Sequence, residues 1–266
     1  MAMRFSILGS GSSGNSALLV TEGSRVLVDA GFSIRRLGRL LAGVGESLDR
    51  IDAVFLTHEH GDHIAGIEGL RKFPNIRIFA NSATARAVQE GLDHPAAWQI
   101  FETGSSFRFR DLEVETFAVP HDAHDPVGYR FASGSDGDLF APLRRLAWVT
   151  DLGHAPPHLQ ERLRDCDVVA IESNHCPQLL QADHRRSWST KQRISGRHGH
   201  LSNEATRELL ASVASPRWQR VYLTHLSRDC NSLAAVEASL AGLRATLRCD
   251  FAIVGHGEGT PFFELS

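Results

Sequence analysis

The sequence predicts an α/β sandwich: two mixed β-sheets packed face to face, with helices on their outer faces. Three observations carry this expectation. Short β-rich runs are dense early in the chain and recur to its end. Stripes of apolar residues at helical spacing punctuate them, and the strict strand–helix alternation of a doubly wound sheet is missing. At 266 residues the chain can bury a large core. No repeat or long linker divides it, so residues 1–266 read as one domain.

The elements follow in order. Strand-like runs occupy residues 4–8, 17–21 and 25–29, and the glycine-rich "GSGSSGN" between the first two reads as a tight turn whose backbone approaches a site. It lacks the lysine and spacing of a phosphate-binding loop. Ile34, Leu37, Leu40, Leu41 and Val44 form a helical stripe, and a strand is expected at 53–56. Ile64, Ile67 and Leu70 suggest a second helix, followed by runs at 76–80, 112–119 and 127–131. "SGSDGDLFAP" (133–142) reads as a hairpin tip. Further runs at 146–150 and 168–172 precede an irregular basic segment, 183–200. A helix on Ala205, Leu209, Leu210 and Val213 and runs at 221–224 and 251–254 complete the set.

The formal charge of −3 gives no global attraction to nucleic acid, so contact with a phosphate polymer needs a local basic patch. Four scattered cysteines without a C-x-x-C pair make no disulfide framework and fit a reducing compartment. No stretch approaches a membrane span and the first residues do not read as a signal peptide, so the expectation is a cytoplasmic protein without membrane contact.

"LTHEHGDHIAG" places His58, His60, Asp62 and His63 within six positions, after a buried strand and at a helix start. Imidazole and carboxylate are the usual ligands of zinc and its divalent neighbours. The plainer reading makes Asp62 the N-cap of the next helix and leaves the histidines exposed; it accounts for one residue and not for three histidines.

With H-x-H-x-D-H in place, the chain resembles the metallo-β-lactamase fold superfamily, which implies an αββα sandwich. Further stretches match that family in order: "VPHDAHDP" with His121, "VTDLG" with Asp151, and "YLTHLS" with His225. The resemblance implies two divalent ions, Zn²⁺ or Mn²⁺, with Fe²⁺ also compatible. His58, His60 and His121 would hold one and Asp62, His63 and His225 the other. Asp151 would bridge them, and Asp29 in "VLVDAG" would support the ligands from behind. Such a pair activates water for attack on an ester. His124, three residues from His121, is a competitor that the family pattern does not favour.

A narrower resemblance, to the YycJ (WalJ) family, rests on "RFSILGSGSSGNS", "PHDAHDPVGY", "IESNH", "GHLSNE" and "LTHLSRDCNS". It implies a phosphodiesterase or nuclease, specifically a 5′-to-3′ exonuclease on DNA, while the sequence leaves RNA and small cyclic phosphodiesters open as substrates. His200, just before a helix that Ser202 or Asn203 can cap, matches a histidine that acts near the scissile phosphate in the similar tRNA 3′-processing nucleases. Glu172 is the matching carboxylate, and the catalytic set implied is Asp62, His200 and Glu172. Asn174 and His175 are candidate substrate contacts, and His256 has no assigned role. Arg185, Arg186, Lys191, Arg193 and Arg197 around Trp188 offer phosphate contacts and a stacking face, or else a solvated loop. Two other classes stay open: a thioester or lactam hydrolase of the same fold, and a non-catalytic metal-binding regulatory protein.

Overall fold

The computed structural model describes residues 3–265. Strands β1 (Met3–Gly9), β2 (Ser16–Val20), β3 (Arg25–Val28), β4 (Ala53–Phe55), β5 (Arg77–Asn81), β6 (Trp98–Phe101) and the C-terminal β14 (Phe263–Leu265) form one seven-stranded sheet in the order β14-β1-β2-β3-β4-β5-β6. The second seven-stranded sheet has the order β13-β12-β11-β10-β9-β8-β7. Its strands are β7 (Ser106–Phe109), β8 (Leu112–Ala118), β9 (Val127–Ser133), β10 (Arg144–Val149), β11 (Val168–Glu172), β12 (Arg220–Thr224) and β13 (Asp250–Ile253). Both sheets mix parallel and antiparallel pairs.

Burial on both faces explains the continuous apolar runs. In β11, Val168 and Ala170 point into the core between the sheets, while Val169 and Ile171 point to the helical layer. The inter-sheet core holds Phe5, Phe55, Trp148 and Tyr222. Helices α1 (Ile34–Gly43), α2 (Gly61–Ile64) and α3 (Ser82–Glu90) accompany the first sheet. Helices α4 (Pro157–Arg164), α5 (Pro177–Ala182), α6 (Trp188–Ile194), α7 (Asn203–Ser212) and α8 (Leu233–Arg244) follow, and Leu159, Leu210 and Leu240 of this set pack on the second sheet. The layers are therefore helix, sheet, sheet, helix. Among the described residues, no helix is long and apolar enough to cross a membrane.

Each run expected as a strand forms one, and residues 133–142 join β9 to β10 as a hairpin loop. Three strands were not foreseen: β6, β7 and β14. All lie at sheet edges, where one flank meets solvent and the apolar signal thins. The stripe through Ile64, Ile67 and Leu70 is not one helix. It breaks into four-residue α2 and a 3₁₀ turn, Glu68–Lys72, in a stretch whose glycines weaken helical propensity. Residues 183–200 are not an irregular loop throughout. Ser187 caps α6 by accepting from Thr190 N, and Lys191 is its one buried residue, so no apolar stripe announced it.

Candidate metal centre

Strand ends from both sheets converge on one edge and carry the polar residues with them. Asp29 follows β3, His58 follows β4, His121 follows β8, Asp151 follows β10, Glu172 ends β11 and His225 follows β12. Asp29, Asp151 and His225 adopt the left-handed region, at φ 61°, 58° and 55°. Arg110 is the other non-glycine residue at positive φ among those described. Such strain gathers where the surroundings dictate a side chain's direction.

The side chains form overlapping groups whose ligand atoms lie within 4.8 Å of one another: His58, His60 and His121; His58, His63 and Asp151; Asp62, His63 and His225. Asp151 stands between them, with Oδ2 3.3 Å from His63 Nε2 and Oδ1 3.7 Å from His121 Nε2. Asp62 Oδ2 lies 3.6 Å from both His63 Nε2 and His225 Nε2. A fourth group joins Asp151, Glu172, His200 and His225.

Behind these atoms the rings are fixed. His121 Nδ1 lies 3.0 Å from the Gly199 carbonyl, which can only accept, so Nδ1 carries the proton and Nε2 keeps its lone pair. His63 Nδ1 lies 2.8 Å from Asp29 Oδ2, and Asp29 also accepts from Thr57 N (2.8 Å) and Thr57 Oγ1 (2.9 Å). Glu172 is fully buried and accepts at Oε1 from Leu152 N (2.8 Å) and Leu201 N (2.9 Å). Its Oε2 meets His200 Nδ1 at 3.1 Å and His225 Nδ1 at 3.2 Å. It has no surface for a substrate, so its place is that of a positioning group. His200 lines the cleft.

The donor set fits a cation. His58 Nε2, His225 Nε2 and Asp151 Oδ2 are buried without a hydrogen-bond partner among the described residues. His58 and His121 are held below the ordinary imidazole value, first by burial, so each offers a lone pair. Burial works against charge on His63, yet Asp29, Asp151 and Asp62 raise it well above that value. Asp151 is buried and still held well below the usual carboxylate range, by His225 and His63. The cluster therefore attracts positive charge, as protons or as metal.

All seven residues expected as ligands thus lie in one cluster. Asp62 is not the N-cap of α2; His60 holds that position and Asp62 sits in the first turn. Ser202, rather than Asn203, caps α7. His124 lies apart, 68% exposed and bound to Glu59. Asn174 donates to the His225 carbonyl (2.9 Å) and faces the cleft, whereas His175 is buried and brought down to about 4 by burial. Of the basic segment, Arg186 and Arg193 line the cleft of about 220 Å³. Arg185 and Arg186 pair with Asp183 and Asp229, Arg193 Nε pairs with Asp122 at 2.7 Å, and buried Lys191 donates to the Gln181 carbonyl. Trp188 and Arg197 are exposed and stand outside the lining.

Sequence reasoning missed Asn15, Thr57 and Ser10. Asn15 Nδ2 donates to Asp62 Oδ2 (3.2 Å), and Asn15 N donates to the Asp62 carbonyl (2.8 Å). Ser10 Oγ accepts from His225 N at 2.7 Å. The glycine-rich turn therefore does approach the site. The signal was present: Ser10 and Asn15 lie in that turn, and Thr57 precedes the first histidine.

A family model described as "Beta-lactamase superfamily domain" matches residues 24–226. Exodeoxyribonuclease WalJ of Streptococcus pneumoniae serotype 2 is 34% identical over 235 residues, covering 87% of this chain and 84% of that protein. Exodeoxyribonuclease YycJ of Bacillus anthracis is 33% identical, covering 87% and 85%. The structure of Zn²⁺-bound PqqB from Methylobacterium extorquens superposes with a TM-score of 0.71 at 17% identity, over 97% of this chain and 99% of that one, a likeness of fold.

Proposed function

The chain belongs to the beta-lactamase superfamily, and on that premise we propose that it is a metal-dependent exodeoxyribonuclease that cleaves phosphodiester bonds from the 5′ end. The observation that carries the reading is His200, held by buried Glu172 at the edge of the ligand cluster. Hydrolysis of a carbonyl substrate has no evident need for that pair.

We assign His58, His60 and His121 to one divalent ion and Asp62, His63 and His225 to the other, with Asp151 shared; Zn²⁺ and Mn²⁺ both suit this donor set. Bound there, such a pair supplies Lewis acidity to the phosphate and acidifies water. The remaining work falls to the chain. His121 and His63 present Nε2 because Gly199 and Asp29 engage Nδ1. His200 commits Nδ1 to Glu172, so Nε2 is the atom that can deliver a proton to the leaving oxygen. Asn15 holds the Asp62 carboxylate, and Asn174 holds the His225 backbone carbonyl.

The test uses single- and double-stranded DNA and RNA oligonucleotides labelled at either end, with nitrocefin and S-lactoylglutathione in parallel. Chelator-sensitive release of nucleotides from the 5′ end of DNA is the expected result. Turnover of the thioester or lactam alone would overturn the reading.

A further inference from the structure

Around the cleft, the arginines of residues 183–200 that face it are neutralised where they stand, by Asp183, Asp229 and Asp122. Arg228 differs. Among the described residues no carboxylate lies within ion-pair distance of its guanidinium; its partner is His256 Nε2, 2.8 Å from Nη2. Arginine only donates, so that nitrogen accepts and the imidazole is neutral. Burial first, and the Arg228 charge second, hold His256 below its ordinary value. Ser13 Oγ lies 3.2 Å from the same nitrogen. The guanidinium is oriented without being neutralised.

The imidazole itself is fixed. Gly11, at φ 117°, lies so close that any Cβ there would overlap the ring, and Gly257 N donates to the Ser10 carbonyl at 2.7 Å. Beside this turn stands Arg36 of α1, stacked 4.3 Å over the Phe32 ring and without a carboxylate partner among the described residues. Ser12 and Ser227, the chain neighbours of Ser13 and Arg228, line the metal cleft. The cluster is therefore at the rim of the site, assembled from four distant segments.

We propose that Arg228, His256 and Ser13, with Arg36 beside them, form a phosphate subsite that takes a phosphate of the nucleic-acid strand next to the one being cleaved. This rests on the nuclease reading above. A phosphate approaching Arg186 or Arg193 must compete with a carboxylate already there, whereas at Arg228 it meets an open fork and a hydroxyl that can turn to donate. The phosphate is either a terminal monoester or an internal diester, and the same groups serve both.

The experiment measures binding of the metal-loaded full chain to a 3′-fluorescein single-stranded DNA with phosphorothioate linkages, which resist cleavage. Anisotropy is read across a salt series, with a 5′-phosphate or a 5′-hydroxyl. Arg228→Gln is expected to weaken binding about tenfold and to reduce the slope of log affinity against log salt by about 0.7, one phosphate contact on a single strand. Arg228→Lys should keep the slope and lose part of the affinity. Arg217→Gln, at the opposite end of β12, is the charge-matched comparator and should change neither. A loss confined to the 5′-phosphorylated strand identifies a terminal phosphate, and equal losses identify an internal one. Wild-type affinity and slope in Arg228→Gln would overturn the subsite alone. Failure of the wild type to bind either strand at low salt would overturn the nuclease reading and the subsite with it.

Discussion

Replacing Asp29 by asparagine separates the orientation of His63, a proposed metal ligand, from the integrity of the fold. Asp29 is fully buried at φ 61°, a conformation that asparagine tolerates. Its Oδ1 accepts from Thr57 N and Thr57 Oγ1, and the side-chain oxygen of asparagine can keep both bonds. Oδ2, 2.8 Å from His63 Nδ1, would become an NH₂ group. Two donors cannot share a hydrogen bond, so the His63 proton would move to Nε2, the nitrogen that faces Asp62 and Asp151. The lone pair needed for a cation is then lost unless the ring or amide turns. Loss of such a supporting partner weakens a metal site about 10–100-fold, or about 1.4–2.7 kcal/mol at 1.36 kcal/mol per decade. Asp29→Ala does more: the buried Thr57 N–H loses its acceptor, at a cost of about 1–3 kcal/mol, and alanine in the left-handed region adds about 1–2 kcal/mol. Chelator competition reads the metal affinity, and urea unfolding in excess chelator reads the fold alone. The asparagine variant should lose affinity for one ion with a small change in metal-free stability, and the alanine variant should lose both. Wild-type affinity for both ions in Asp29→Asn would refute the reasoning.

Other outcomes follow from the same geometry. Asp62→Ala should lower metal content from about two ions per chain to about one and cost more activity than Asp29→Ala, since a ligand atom is removed; unchanged stoichiometry by elemental analysis would exclude Asp62 as a ligand. His200→Ala should retain the metals and lower DNA cleavage by about 10²–10⁴-fold, with a smaller loss on bis-p-nitrophenyl phosphate, whose leaving group needs little protonation. Equal losses on both substrates would reject proton donation. Arg193→Ala leaves Asp122, which lies 3.4 Å from His121 Nε2, without its cation at the cleft mouth. KM for oligonucleotides should rise, and an unchanged KM would show that Arg193 does not meet the strand.

Much of the fold was legible because the inner strands are buried on both faces: "AVFL" and "VVAIE" have little other way to be folded. The clustering of the residues proposed as ligands has a related basis: His58, His121, Asp151 and His225 each follow an apolar strand where it meets the sheet edge, and His60, Asp62 and His63 come in the turn and helix start just after one of them. What sequence hid was pairing in space. Residues 183–200 look like the basic feature of the chain, yet Arg185, Arg186 and Arg193 find carboxylates at positions 122, 183 and 229. Arg36 and Arg228 look unremarkable, yet folding brings them to one turn with no carboxylate paired to either among the described residues. Net positive surface depends on where acids land, and no linear window contains that information. Thr57 and Asn15 were hidden likewise, because their roles are bonds to Asp29 and Asp62 rather than chemistry of their own.

The left-handed residues connect the fold to the site. A strand continued in β conformation would send its next side chains alternately into the inter-sheet core and the helical layer, both apolar here. A charged group cannot be placed in either without a partner. Turning the backbone to positive φ at Asp29, Asp151 and His225 instead sends the side chain over the sheet edge, toward the other polar groups. The strain is about 1–3 kcal/mol at each position. It concentrates buried carboxylates and imidazoles whose lone pairs point at one another, an arrangement unfavourable without positive charge between them. Protons relieve it in part, as the raised value of His63 indicates. Divalent cations relieve it more fully, because each can meet several of those lone pairs at once. Binding of metal should therefore stabilise this chain against unfolding, by RT ln(1 + [L]/Kd) for each ion that does not bind the unfolded chain, and that stabilisation should persist in His200→Ala, which leaves the assigned ligand set intact. A His200→Ala protein that metal no longer stabilises would place His200 among the ligands instead.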